Sequence, residues 1–166
     1  MIRQIAQHLL KKRLIDDKYL FLLNSPPEDE YIAFDTETSG LNTKTAEILS
    51  IGAVKIVKNR ILTSQSFEVH IRPEEPISPT SIKIHGLRHI DLADGVPIEN
   101  AVKRFLYFVG NRPLVGYNIQ FDVKMINKTV RKITGISLPN KKIELAHLYR
   151  KKKRGIFTRK TFLSWI

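Results

Sequence analysis

The 166-residue sequence carries 28 lysines and arginines against 16 aspartates and glutamates, which gives a formal net charge of +12, and it contains no cysteine. The length allows one domain with a substantial core, and the lack of cysteine excludes disulfides, thiolate metal sites and cysteine nucleophiles. No apolar run approaches the length of a membrane span, and charges interrupt the apolar residues at the start of the chain. We therefore expect a cytoplasmic protein without a signal peptide or a membrane anchor.

The chain is predicted to open with an amphipathic helical extension over residues 1–23. Ile2, Ile5 and Leu9 recur at roughly helical spacing in this segment. Residues 24–30 contain two consecutive prolines and three acids, so they are predicted to stop the helix and to form a linker. Residues 31–166 are then predicted to form the main domain.

The main domain begins with three strand-like segments. The apolar run at 31–36 is followed by two stretches rich in isoleucine and valine, which the polar "KNR" joins as in a hairpin. Further elements are predicted as a short helix that starts after Ser78 and ends at Gly86, a helix at 97–110, a short strand at 113–118 and a helix closed by Gly135. Residues 141–149 fit a strand or a helix equally well. This order predicts an α/β domain whose mixed sheet starts with a three-strand meander and is flanked by helices.

Two carboxylates, Asp35 and Glu37, lie at the end of the apolar run "YIAF". Strand geometry places both on one face, with Thr36 on the other. No lysine or arginine occurs between Tyr31 and Thr43 to compensate them. Such a pair either has one raised pKa or recruits a cation, and its oxygen atoms suit Mg²⁺ or Mn²⁺. A D-x-E sequence at a strand end is also common as a purely structural or solvated pair.

A third acid, Asp122, lies in the first turn of the helix that follows "LVGYN". A carboxylate is favoured there by the helix dipole whatever the protein does. Asn118 is a candidate N-cap for the same helix. A strand, a cap and an acid on the next helix form an arrangement that can bring Asp122 to the pair at the strand end.

Four segments in this order, "FDTETSGLN", "ILSIGAVKI", "SPTSIKIHGL" and "LVGYNIQFDVKMIN", resemble the proofreading-type (epsilon, or DnaQ-like) 3′-5′ exonucleases of the DEDD superfamily. The similarity runs from about Tyr31 to Ile166. It implies a ribonuclease-H-like fold, two Mg²⁺ or Mn²⁺ ions per site, and hydrolysis from a 3′ end to nucleoside monophosphates. It further implies a single-stranded 3′ end as substrate, DNA rather than RNA, a role in proofreading or repair, and a DNA polymerase subunit as a partner. The oligomeric state stays open.

The resemblance also implies roles for individual residues. Asp35, Glu37 and Asp122 match the metal-binding catalytic carboxylates, with Asp35 expected to bridge the two ions. The positions that match substrate-binding residues are Thr38, Gly40, Leu41, His85, Asn118 and Phe121. Leu41 is expected to wedge against a base, and Gly40 to allow close approach of the backbone. Phe121 fits a core role or a stacking role, and His85 fits a structural role or one near the scissile bond.

A dense run of basic residues near the C-terminus is a candidate contact for the phosphate backbone. Residues 123–166 carry 13 basic side chains and one acid, whereas residues 1–122 carry 15 of each sign. The run comprises Lys151, Lys152, Lys153 and Arg154. A solvated loop is consistent with the same pattern, and the basic run also matches the sequence pattern of a nuclear localisation signal.

The third motif of these exonucleases, H-x-x-x-x-D or Y-x-x-x-D, is missing, because no aspartate follows Asp122. We therefore expect a domain that is incomplete at its C-terminus and, in these 166 residues alone, nearly inactive. Either the sequence is part of a longer chain, which we favour, or it is a natural non-catalytic nucleic-acid-binding or scaffold relative. Glu144 is a further candidate ligand, although its surroundings suggest packing. A different ribonuclease-H-like enzyme is disfavoured by the "IHGL" stretch.

Overall fold

The computed structural model describes residues 2–153, with side chains over 7–150, and these form a mixed five-stranded sheet of order β3-β2-β1-β4-β5. The strands are β1 (Glu30–Thr38), β2 (Ile48–Val57), β3 (Arg60–His70), β4 (Leu114–Gly116) and β5 (Lys142–Glu144). Neighbours β1, β2 and β3 pair antiparallel, whereas β4 is parallel to both β1 and β5. The predicted meander and mixed sheet are thereby confirmed.

Five α-helices are described: α1 (Ile2–Arg13), α2 (Pro79–His85), α3 (Ile98–Val109), α4 (Ile119–Thr134) and α5 (Leu145–Lys153). The short helix α2 starts and ends as predicted, because Ser78 Oγ accepts a hydrogen bond from the Ser81 amide at 3.1 Å and Gly86 ends the helix with a φ of 79°. The ambiguous stretch after residue 140 is a strand followed by a helix. Over residues 2–153, no helix has both the length and the hydropathy that crossing a bilayer requires.

Helices α3 and α4 pack together on one face of the sheet. Ile32 and Phe34 of β1 point to that face and are 0% and 4% exposed. The ring of Phe34 lies 5.3 Å from that of Phe105 in α3. On either side of Ile32 along the strand, Tyr31 and Ala33 point to the opposite face and are only half-buried. Strand β1 therefore presents alternate side chains to a closed core and to a much more open surface.

The N-terminal extension is shorter as an α-helix than predicted. The α-helix ends at Arg13, and a 3₁₀ helix follows over Asp17–Leu23, started by Asp16, whose Oδ1 accepts from the Lys18 amide at 3.0 Å. The prediction of one helix over 1–23 is wrong because the second half must turn to bury Tyr19 and Leu22 in the core shared with the sheet. The division into extension, linker and domain at residues 23 and 30 stays a prediction.

A tight contact fastens this extension to the end of α4. The Ile15 amide donates to the Thr134 carbonyl at 3.0 Å. Gly135, with a φ of 81°, lies directly beside it, and an added Cβ atom there would overlap the carbonyl oxygen of Arg13 and lie 2.8 Å from Ile15 Cγ1. Glycine is required here both by the left-handed backbone and by the close approach of the extension.

We expect Gly135→Ala to lower the free energy of unfolding by more than Gly86→Ala does. Both glycines have a φ near 80°, but an added Cβ at Gly86 meets no atom within 4 Å. Gly86→Ala thus costs only the backbone penalty, roughly 1–2 kcal/mol, while Gly135→Ala also disturbs the packed extension. Urea unfolding of the two variants measures the difference. Equal losses would show that the extension contributes nothing through this contact.

Candidate active site

The end of β1 places its two acids on the open side of the sheet. Asp35 is exposed and Glu37 is half-buried, whereas Thr36 between them is 8% exposed. In the antiparallel pair with β2, Asp35 lies opposite Gly52. The burial therefore alternates as strand geometry requires, and the two carboxylates share one face.

Asp122 is held against β1 from the other side of the sheet. Its carboxylate is buried, and Oδ1 accepts two hydrogen bonds from Thr36, one from the hydroxyl at 2.6 Å and one from the amide at 3.1 Å. These bonds tie the first turn of α4 to the strand that carries Asp35. Thr36 had no role among the sequence-based predictions. The available signal was a hydroxyl on the buried face of a strand, which needs a partner.

Burial and the charge of Asp35 make ionised Asp122 unfavourable. Burial is the larger cause and, with Asp35, raises the pKa of Asp122 to about 6, although the Thr36 hydrogen bonds act in the opposite direction. In the described part of the chain, neither carboxylate forms an ion pair with a lysine or arginine. Two carboxylates that repel each other beside solvent are a place where a divalent cation is favoured.

The oxygen donors of Asp35 and Asp122 suit Mg²⁺ or Mn²⁺ in chemical type. Residues 7–150 nevertheless contain no group of three histidine, aspartate or glutamate side chains arranged to hold a metal ion. The structure couples Asp35 to Asp122, and it does not bring Glu37 into one cluster with them. The predicted three-carboxylate metal site therefore stays a prediction.

Open space surrounds the exposed carboxylate. An added Cβ atom at Gly52, directly across from Asp35, would meet no atom within 4 Å, and the same is true of Gly40. The turn after β1 is held by a hydrogen bond from the Thr38 hydroxyl to the Gly40 carbonyl at 2.9 Å. It presents Leu41, which is 86% exposed. Among residues 7–150, no side chain packs on this surface, which leaves it available to a substrate.

Helix α2 is attached to the same turn through a hydrogen bond from Ser81 Oγ to the Ser39 carbonyl at 2.7 Å. At its end, His85 Nδ1 accepts from the Leu87 amide at 3.1 Å. The neutral imidazole then carries its proton on Nε2, which is buried without a hydrogen-bond partner. One nitrogen of His85 is thus structural, and the other is an unused donor. Both interpretations of His85 stay open.

Asn118 starts α4 but does not cap it with its side chain, so that prediction is wrong. It takes a left-handed φ of 54°, and the cap comes from Glu144, which accepts from the amides of Asn118 at 2.9 Å and Ile119 at 3.0 Å. Burial alone would raise the pKa of Glu144, but its hydrogen bonds to backbone amides outweigh this and lower it. Its carboxylate is occupied with holding the helix that carries Asp122, which argues against Glu144 as a metal ligand.

Two further predictions concern Phe121 and the basic run. Phe121 is partly buried against the core, as a packing residue would be. The side chains of Lys151, Lys152 and Lys153, and all of Arg154, lie outside the described residues. Their predicted contact with nucleic acid stays a prediction.

We expect the stability of the metal-free protein to fall as pH rises through about 6. The folded state binds the proton of Asp122 more tightly than the unfolded chain, whose pKa is near 3.8, so stability is highest below that value and declines across the interval. The loss amounts to at most about 3 kcal/mol. Urea unfolding in EDTA, compared with Asp122→Asn, isolates this group because the two proteins share all other carboxylates. Parallel pH curves for the two proteins would contradict the raised pKa.

The chain resembles several known proteins in sequence and in fold. The sequence model of the exonuclease family RNase_T matches residues 32–163. A PolC-type DNA polymerase III from Caldanaerobacter subterraneus subsp. tengcongensis is 35% identical over 123 residues, which cover 74% of this chain and 9% of that protein. The DNA polymerase III epsilon subunit of Pasteurella multocida is 34% identical over 107 residues, which cover 61% of this chain and 42% of that protein.

Among solved structures, E. coli exonuclease I in a metal-free complex with single-stranded DNA superposes with a TM-score of 0.65 at 16% identity. The match covers 76% of this chain and 30% of that one, and at this identity it supports the fold. The chain thus spans less than half the length of each of these relatives. Because the family match extends over most of the sequence, the chain belongs to the exonuclease family RNase_T.

Proposed function

We propose that this chain is the nuclease part of a metal-dependent 3′-5′ exonuclease that hydrolyses DNA, rather than RNA, to nucleoside monophosphates. The observation that carries the proposal is the exposed Asp35 beside the buried Asp122, whose pKa it helps to raise. This pair lies at the end of β1, next to a turn with open space and an exposed Leu41. Uncompensated carboxylates and an unused apolar contact beside them suit a nucleotide end held through cations.

In this proposal Asp35 and Asp122 hold two Mg²⁺ or Mn²⁺ ions, and Glu37, which shares a face of β1 with Asp35, joins them as a ligand when the ions are bound. Bound there, the ions would stabilise the charge that develops during hydrolysis of a phosphodiester. Thr36 fixes the carboxylate of Asp122 through two hydrogen bonds, and Glu144 fixes the first turn of its helix. Gly52 leaves the space beside Asp35 free. Leu41 packs on the terminal base.

The relatives suggest the substrate and the partner. Single-stranded DNA is bound by exonuclease I, which shares this fold. Two relatives are named as DNA polymerase III components. We therefore propose a single-stranded 3′ end as substrate, a proofreading or repair role in the cytoplasm, and a DNA polymerase subunit as partner.

The alternative function concerns these 166 residues taken by themselves, in which no aspartate follows Asp122. Without the general base of the third motif, hydrolysis should be slower by a factor of ~10²–10⁴. We expect these residues on their own to be nearly inactive. The alternative is that the chain is a non-catalytic relative of these exonucleases, which binds nucleic acid or acts as a scaffold.

Release of mononucleotides from a 3′-labelled single strand tests the proposal. The assay uses the complete gene product and the 166 residues, each with Mg²⁺ and with EDTA. We expect the complete product to release mononucleotides only with Mg²⁺ and the 166 residues to be far slower. Asp35→Asn should abolish the release.

Asp94→Asn is the matched control, because Asp94 is an exposed acid that makes none of the hydrogen bonds or ion pairs of the described residues. It should leave the rate unchanged. Rapid release by the 166 residues would refute their predicted inactivity. If neither protein releases mononucleotides in a way that depends on Asp35, the exonuclease proposal fails and the binding or scaffold function remains.

A further inference from the structure

A line of positive charge runs along the outer side of α4. All five exposed residues of this helix are polar, and four of them are cationic. The last turn of α1 adds three more exposed cations. Together we call these the basic ridge: Lys124, Lys128, Arg131 and Lys132 of α4 with Lys11, Lys12 and Arg13 of α1.

The two halves of the basic ridge adjoin because the ends of α1 and α4 are packed together. The hydrogen bond from the Ile15 amide to the Thr134 carbonyl joins the segments that follow and end these helices. Arg13 and Arg131 line the same surface cavity beside Gly135. The cations from residues far apart in sequence therefore form one surface.

The other end of the basic ridge reaches the candidate active site. Lys128 Nζ donates to the carbonyls of Ala46 at 3.0 Å and Lys44 at 3.5 Å, in the loop that follows Leu41. Along α4 the ridge extends to Lys132, roughly 15 Å from Asp122 at 1.5 Å per residue. A strand whose end lies at Leu41 would thus meet successive cations as it leaves the site.

Structural roles account for only part of this charge. Cations in the last turn of a helix stabilise its dipole, and Arg131 also donates from Nε to Ser137 Oγ at 2.7 Å. Lys124, in the second turn of α4, has neither explanation. Among the described side chains, no acid forms an ion pair with any member of the ridge.

Acidic residues border the basic ridge beside Lys128 and Lys132. Glu47, Glu74 and Glu99 line a groove together with Lys128 and Lys132. The carboxylate of Glu47 is engaged by the amides of residues 74 and 75 at 3.2 Å. A polyanion should therefore contact the basic ridge from its solvent side rather than from this groove.

We propose that the basic ridge binds the phosphate backbone of the nucleic-acid strand whose 3′ end occupies the candidate active site. This inference rests on the proposed function and adds a second contact between the protein and that strand. Exposed α4 residues include no apolar side chain, so this half of the ridge has nothing to insert into a bilayer or to bury against a protein. Unpaired cations in a line are the usual contacts of a phosphate backbone.

A charge-matched pair of triple variants tests the ridge. The ridge variant is Lys12→Gln, Lys124→Gln, Lys132→Gln, which spares Lys128 and Arg131 because both make hydrogen bonds within the fold. The control variant is Arg60→Gln, Lys103→Gln, Arg104→Gln, which removes the same charge from exposed positions on β3 and α3. Exposed substitutions of this kind change stability by about 0.5 kcal/mol or less, which urea unfolding verifies.

Binding of a labelled single-stranded oligonucleotide is measured by anisotropy in EDTA, so that no strand is hydrolysed, over a series of salt concentrations. The slope of log K against log salt should become shallower by about 0.7 for each phosphate that no longer meets a cation, roughly 2 for the ridge variant. The control variant should keep the slope of the wild type.

Equal slopes for the two variants, or no binding by the wild type, would contradict the proposal that the basic ridge binds the phosphate backbone. So would a ridge-dependent attachment to anionic lipid vesicles without binding of the oligonucleotide. Asp35→Asn should keep the wild-type slope while it abolishes hydrolysis, so the ridge and the catalytic proposal can fail separately.

Discussion

The two hydrogen bonds from Thr36 to Asp122 are the constraint on which the rest of the site depends. They join residues 86 positions apart and fix the first turn of α4 against the strand that carries Asp35. They also hold a carboxylate where burial and a neighbouring negative charge raise its pKa to about 6. Such an unfavourable arrangement of carboxylates persists only when the surrounding contacts fix their positions. This is the usual situation at a functional centre.

Other contacts hold this arrangement from outside. Glu144 at the end of β5 caps α4 with its carboxylate, and Ser81 of α2 holds the turn that follows β1. At the far end of α4, Gly135 lets the N-terminal extension pack closely. Each contact links an element of the site to a different part of the fold, so the geometry at Asp35 is set by the whole domain. No described part of the fold packs on the turn that carries Leu41, so this side chain is left exposed.

Local patterns predicted much of this structure. Alternation along β1 predicted the faces of Asp35 and Thr36, and the Ser78 cap and the glycine at residue 86 predicted the limits of α2. Contacts between residues far apart in the chain could not be predicted from the sequence. The cap of α4 comes from Glu144 rather than from the adjacent Asn118, and the partner of Thr36 lies on a distant helix, so spacing along the chain contains no signal for either. The 3₁₀ helix after α1 was missed because burial of its apolar residues, not their period, determines it.

The central claim is that Asp35 and Asp122 together form a site for divalent cations, and thermal unfolding with added Mg²⁺ or Mn²⁺ tests it most directly. A ligand at 100 times its Kd stabilises a folded protein by about 2.7 kcal/mol. We expect Tm to rise with either ion in the wild type and in Asp94→Asn, and this rise to disappear in Asp35→Asn and Asp122→Asn. An unchanged wild-type Tm, or an equal rise in Asp122→Asn, would contradict the claim.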